Sequence, residues 1–320
     1  MSSIGPRLCS MVPLLTLALL ILALIGLQAE AQGGVVIQPY WAFDAEARVH
    51  VVRAADTNGD DSLEVILGTA DNWLYLLEAD GHLIWSYEAS SPLSSLLTSD
   101  LDADGRAEVI AGLTDGTVSL LQPGRGAVWT YPTEGTVNAL VPADLDGDGR
   151  HEILVASHDG QVRALSAEGR PIWSYDIGRA VQGLSAADLD GDNLPEVIPS
   201  PLRGSRIWVL ESDGRLAWQA QTESEVGLVD SGDVDGDSQA EVVLFSAAWE
   251  ITVLAGDGQK LWHDESIAHS YAHDHPRPGQ MSLADLNGDG RAEVVAISLS
   301  PGSVHVLQGD GRPLWQHSLV

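Results

Sequence analysis

A nine-residue acidic segment returns along this chain at an almost constant interval, and no other feature restricts the possible folds as sharply. The copies are Asp56-Thr-Asn-Gly-Asp-Asp-Ser-Leu-Glu64, Asp100-Leu-Asp-Ala-Asp-Gly-Arg-Ala-Glu108, Asp144-Leu-Asp-Gly-Asp-Gly-Arg-His-Glu152, Asp188-Leu-Asp-Gly-Asp-Asn-Leu-Pro-Glu196, Asp233-Val-Asp-Gly-Asp-Ser-Gln-Ala-Glu241 and Asp285-Leu-Asn-Gly-Asp-Gly-Arg-Ala-Glu293. Their first residues are 44, 44, 44, 45 and 52 positions apart. A tryptophan following a turn-forming stretch keeps the same beat at Trp41, Trp85, Trp129, Trp173, Trp218, Trp262 and Trp315. Trp262 stands 23 residues before the next acidic segment where the others stand 15, which marks an eight-residue insertion. Units this small cannot bury both faces alone, so they must stack on one another.

Each unit reads as short strands divided by turns. In the second unit, Glu108-Val-Ile-Ala-Gly, Thr117-Val-Ser-Leu-Leu and Ala127-Val-Trp are separated by Thr114-Asp-Gly and Pro123-Gly-Arg-Gly, and Ser94-Ser-Leu-Leu-Thr before the acidic loop supplies a fourth strand. Four antiparallel strands in a repeat of this length is the make-up of a propeller blade. No stretch after residue 32 keeps a helical period. The expected fold is therefore all-β, a β-propeller of four-stranded blades occupying residues 32–320 as one domain. Six acidic loops predict six blades; seven tryptophan segments keep seven open. The N-terminal residues 35–43 are expected to pair near the C-terminal strand Pro313-Leu-Trp-Gln-His and help close the ring, with the seven repeat tryptophans in the core.

The acidic loops carry a metal-binding pattern. In the third, side chains at Asp144, Asp146, Asp148 and Glu152, the Arg150 carbonyl and one water would give the six or seven oxygen ligands that calcium prefers. The equivalent sets are Asp56, Asn58, Asp60 and Glu64; Asp100, Asp102, Asp104, Arg106 and Glu108; Asp188, Asp190, Asp192, Leu194 and Glu196; Asp233, Asp235, Asp237, Gln239 and Glu241; and Asp285, Asn287, Asp289, Arg291 and Glu293. A strand follows each loop, and the twelfth position, the last ligand of a helix-flanked calcium loop, is the apolar Val155 in the third copy. These ligand carboxylates number 22 of the chain's 46 Asp+Glu, and like charges gathered so closely repel unless a divalent cation lies among them. Up to six calcium ions are expected. The sixth position of each loop needs a positive φ, and glycine there ranks the loops starting at Asp100, Asp144 and Asp285 tightest, with Ser238 making the fifth weakest.

Asp-x-Asp-x-Asp-Gly-x-x-Glu loops at blade spacing resemble the FG-GAP/VCBS repeat family, which includes the propeller of integrin α subunits, over residues 35–320. The tryptophan half, as in Val162-Arg-Ala-Leu-Ser-Ala-Glu-Gly-Arg-Pro-Ile-Trp173, also looks like the PQQ-type quinoprotein repeat. The first resemblance implies calcium in the turn between a blade's first two strands, with adhesion or the binding of protein or carbohydrate on the opposite face. No quinone-binding residues are identifiable, so the second implies blade architecture alone.

Net charge is -30, with only 16 Lys+Arg, which argues against nucleic acid as a partner. Residues 1–31 read as a secretory signal: Arg7, an apolar run from Val12 to Leu27, and Ala29-Glu30-Ala31 as cleavage site. An uncleaved membrane anchor is the competing reading, and both put the domain outside the cytoplasm, secreted, periplasmic or on the cell surface. The sole cysteine, Cys9, precedes the apolar run, so calcium takes the stabilising part that disulfides play in other exported domains. The insertion carries His269, His273 and His275, which offer either a zinc or copper site or a polar binding loop. The face away from the calcium loops should present Trp73, Arg203 and Trp249 to a ligand. The function expected is a monomeric binding or adhesion module for extracellular protein or carbohydrate, without a catalytic centre. A calcium-dependent polysaccharide lyase or hydrolase is the rival.

Overall fold

Runs such as Glu152-Ile-Leu-Val-Ala-Ser157 lie between turn sequences and are rich in residues that suit a pleated, buried surface, and they fold as strands. A computed structural model describes residues 41–265, 278–299 and 302–318 of the chain. Among these, 24 strands form six antiparallel four-stranded sheets, each in simple sequence order, within a compact unit that starts at Phe43. This is the six-bladed propeller expected from the acidic loops. The blades span 49–88, 93–132, 137–176, 181–221, 226–264 and 278–318. In blade 3 the strands are Val137–Ala143, Glu152–Ser157, Gln161–Leu165 and Pro171–Asp176, with the acidic loop between the first and second.

Burial falls from the inside outwards. Every residue of the second strand is buried in blades 4 and 5, because neighbouring blades cover both of its faces. Fourth strands alternate between half-buried and exposed residues, as in Pro171–Asp176. Buried apolar clusters join blade 1 to 2, 2 to 3, 3 to 4, 4 to 5 and 5 to 6. Among the described residues no such cluster joins blade 6 to blade 1. Val49, which opens the first strand of blade 1, is 40% exposed, whereas its counterparts Leu93, Val137, Val181 and Val226 are at most 3% exposed.

The periodic tryptophans act at these seams. Trp129 Nε1 donates to the Ala167 carbonyl at 2.9 Å, Trp173 to Ser212 at 2.9 Å, Trp218 to Gly256 at 2.7 Å and Trp262 to Gly309 at 2.6 Å. Each acceptor lies in the turn between the third and fourth strands of the following blade. The ring lies flat over a glycine of that turn: a β-carbon on Gly169 would come within 2.5 Å of Trp129, and one on Gly214 within 2.6 Å of Trp173. These side chains are thus half-buried latches between blades, a correction to their expected place in the core. Trp315, in the last blade, is 41% exposed. Residues 41–45 form neither helix nor strand, so Trp41 and Phe43 are not part of the expected N-terminal strand; residues 1–40 lie outside the described residues.

The inner strands also hold an acid. Asp230 accepts the Ser231 N–H at 2.9 Å, and burial pushes its carboxyl up to about 6. Since the folded state holds this proton more tightly than an unfolded chain with an ordinary pKa of about 3.9, Asp230 costs stability above pH 6 and ceases to cost it below about pH 4. Asp230→Asn is expected to raise unfolding free energy at pH 7 by roughly 1–3 kcal/mol and to make no difference at pH 4. Urea melts of both proteins in calcium across that range measure the difference. An equal gain at both pH values would refute the assignment.

Candidate metal centres

All six acidic loops fold alike because their own side chains tie the backbone down. The first Asp accepts the N–H of position six, from Asp61, Gly105, Gly149, Asn193, Ser238 and Gly290, at 2.8–2.9 Å. The Asp at position five accepts the N–H of position seven, from Ser62, Arg106, Arg150, Leu194, Gln239 and Arg291. The Glu at position nine reaches back to the N–H of position two, from Thr57, Leu101, Leu145, Leu189, Val234 and Leu286. The other oxygen of the first Asp also accepts, from the N–H of position four or five.

In loops two to five three carboxylates converge. One oxygen each from Asp100, Asp102 and Glu108 lie within 4.8 Å of one another, as do those of Asp144, Asp146 and Glu152, of Asp188, Asp190 and Glu196, and of Asp233, Asp235 and Glu241. Burial, reinforced by the neighbouring Asp carboxylates, raises the pKa of Glu108 and Glu152 and pushes Glu196 and Glu241 up to about 7. An oxygen-only donor set under this mutual repulsion fits a hard divalent cation such as calcium.

Loops one and six differ. Asn58 Nδ2 donates to Glu64 at 3.1 Å, and Asn287 Nδ2 donates to Glu293 at 2.7 Å. The amide nitrogen takes the place that an Asp oxygen takes in the other loops and satisfies the glutamate internally.

Position six has positive φ in every loop, from 66° at Asp61 to 88° at Gly105, so the expected left-handed turn is present even where glycine is not. Position four is left-handed too, at Gly59, Gly147, Gly191, Gly236, Gly288 and, with φ 60°, Ala103. The side chain at position seven of the next blade explains part of that preference: a β-carbon on Gly236 would sit 2.5 Å from Arg291 Nε and one on Gly59 3.1 Å from Arg106 Nε. Ala103→Gly and Ser238→Gly should each add about 0.5–1 kcal/mol to stability in calcium, the relief of a left-handed strain of about 1–2 kcal/mol less the greater freedom of unfolded glycine. A lower urea midpoint for both would contradict the strain argument.

Neighbouring loops are also linked to one another. Ala107 N–H donates to the Asp56 carbonyl at 2.7 Å, His151 to Leu101 at 3.3 Å, Ala240 to Asp188 at 3.0 Å and Ala292 to Asp233 at 2.8 Å. The series skips the step from loop three to loop four, where Pro195 has no N–H to give.

On the opposite face, Arg203 is exposed and Trp73 half-buried. Trp249 is not available to a ligand: it is 4% exposed and packs edge-on against Phe245 at 5.4 Å in the seam of blades 5 and 6. Its left-handed φ of 69° turns the indole inward. Tyr87, Tyr131 and Tyr175 likewise pack against the seam clusters. His269, His273 and His275 lie outside the described residues.

Comparison with known proteins agrees with this architecture. Residues 233–296 match the model of the FG-GAP-like repeat, residues 38–140 that of the outer membrane protein assembly factor BamB, a PQQ-type family, and residues 109–181 that of the lambda-carrageenase β-propeller domain. These matches support an FG-GAP/PQQ-like propeller family for the repeats. No curated protein matches this propeller chain. Among solved structures it is similar to BBS1N in complex with ARL6DN (TM-score 0.65, 11% identity, covering 88% of this chain and 87% of that one). It is also similar to the V. cholerae biofilm matrix protein Bap1 (0.62, 16%, 84% and 69%) and to BamB from Moraxella catarrhalis (0.59, 20%, 87% and 79%). These identities establish the fold of the FG-GAP/PQQ-like propeller and no more. Among the described residues no helix is long and apolar enough to cross a membrane.

Proposed function

We propose that this chain is an exported, calcium-stabilised propeller that acts as a binding or adhesion module for protein or carbohydrate. The observation that carries the calcium reading is the convergence of two Asp oxygens and one Glu oxygen in each of loops two to five, with the Glu already tied to the loop backbone. Asp100, Asp102 and Glu108 and their equivalents would hold the ion, which supplies the positive charge that the clustered carboxylates lack. Likeness to BamB and to a biofilm matrix protein supports export and a role in contact with other molecules. Calorimetric titration of metal-stripped protein should show four stronger calcium sites, from loops two to five, and weaker uptake at loops one and six. Glycan-array and pull-down binding that is retained in calcium and lost in EDTA would support the module.

The match of residues 109–181 to the lambda-carrageenase propeller domain favours a second reading, an enzyme acting on polysaccharide. Release of reducing ends or unsaturated sugars from polysaccharides by the purified protein would decide for it against binding alone.

A further inference from the structure

One cluster of metal-binding side chains belongs to none of the acidic loops. Glu250 directly precedes the third strand of blade 5, Ile251–Leu254, His263 lies on its fourth strand, Lys260–Asp264, and Glu265 follows directly. One donor atom from each lies within 4.8 Å of the other two. By strand order this cluster sits at the end of the blade opposite its acidic loop. Its chemistry differs as well, since an imidazole nitrogen joins two carboxylates.

We propose that His263, Glu250 and Glu265 form a transition-metal site, suited to zinc, separate from the calcium loops. The histidine is set up as a ligand. Its Nδ1 lies 2.9 Å from Thr252 Oγ1, a hydrogen bond that holds the ring and leaves the Nε2 lone pair for the metal, as outer partners of metal-bound histidines do. Nε2 is buried and has no hydrogen-bond partner, a costly state for a ring nitrogen unless something else coordinates it. It points to the carboxylates: Glu265 Oε1 is 3.4 Å away, without the geometry of a hydrogen bond. That separation is close to the edge of a tetrahedron with metal–ligand bonds of about 2.0–2.1 Å, roughly 3.3 Å. Glu250 is held from behind, accepting Ser246 Oγ at 3.2 Å. Calcium seldom takes an imidazole ligand, whereas zinc, copper and cobalt do, so the two kinds of site divide the metals by chemistry. Three protein ligands leave one position for water or for an oxygen of a bound molecule.

The test is titration of the calcium-saturated protein with Zn²⁺, so that the acidic loops are already filled and their behaviour does not bear on the outcome. One zinc should bind to the wild type. His263→Gln, and Glu265→Gln at a side chain exposed enough not to threaten folding, should each weaken that binding at least 50-fold. A His269→Ala/His273→Ala/His275→Ala variant should keep it within about fivefold. With Cu²⁺ in place of zinc, paramagnetic resonance should show nitrogen coupling that His263→Gln removes. Unchanged zinc affinity in both His263→Gln and Glu265→Gln would overturn the proposal, as would loss confined to the triple variant.

Discussion

Stripping the protein with EDTA should lower its thermal midpoint by about 20 °C, and excess calcium, but not magnesium, should restore it. The magnitude comes from linkage: an ion at a hundred times its dissociation constant adds about 2.7 kcal/mol per site, so four occupied loops contribute about 11 kcal/mol. In a domain of this size each kcal/mol moves the midpoint by about 2 °C. The cause is visible in the loops. Without a cation, Glu196 and Glu241 are pushed up to about 7 by burial and by the neighbouring acids, so the metal-free loops hold their carboxylates at a cost. A midpoint that moves by less than about 2 °C would remove calcium from the account of this fold.

The tryptophan latches should show the next largest effect, and an uneven one. Trp218→Ala is expected to cost about 3–5 kcal/mol, because it empties a seam and leaves the Gly256 carbonyl without its 2.7 Å donor. Trp218→Phe, which keeps most of the ring, should cost about 1–2 kcal/mol. Trp315→Ala should cost less than about 1 kcal/mol, since that indole is already 41% exposed. Urea unfolding of the three variants in saturating calcium measures the contrast. Equal losses at Trp218 and Trp315 would show that the tryptophans pack within their own blades rather than across seams.

Much of this was legible in the sequence because the repeat displays each decision six times. The strand order, the acidic loop between the first and second strands, and the positive φ at position six all follow from residues that recur in register. Position four was harder to read. Ala103 breaks the glycine series there, and the crowding that favours glycine comes from Arg106 and Arg291 of the following blade, a contact across about 50 residues. The tryptophan period was evident, yet its meaning depended on carbonyls 38 or more residues downstream, which no local pattern reveals. Trp249 looked like a surface aromatic in a turn; a left-handed backbone buries it. Asn58 and Asn287 read as ligand positions like the Asp of the other loops, whereas here their amide nitrogens donate to Glu64 and Glu293. His263 and Glu265 belong to the segment before loop six that is dense in potential ligands, but Glu250 could not be read as their partner, because strand pairing, not sequence proximity, brings it to them.

The latches all point one way along the chain, from an indole to a carbonyl that comes later. During synthesis the N-terminal blades emerge first, so each newly made outer strand waits with its indole unsatisfied until the following blade arrives. Completion therefore trails emergence by one unit. A ribosome that stalls between blades would leave the last-made indole without its carbonyl, while the latches behind it have already closed.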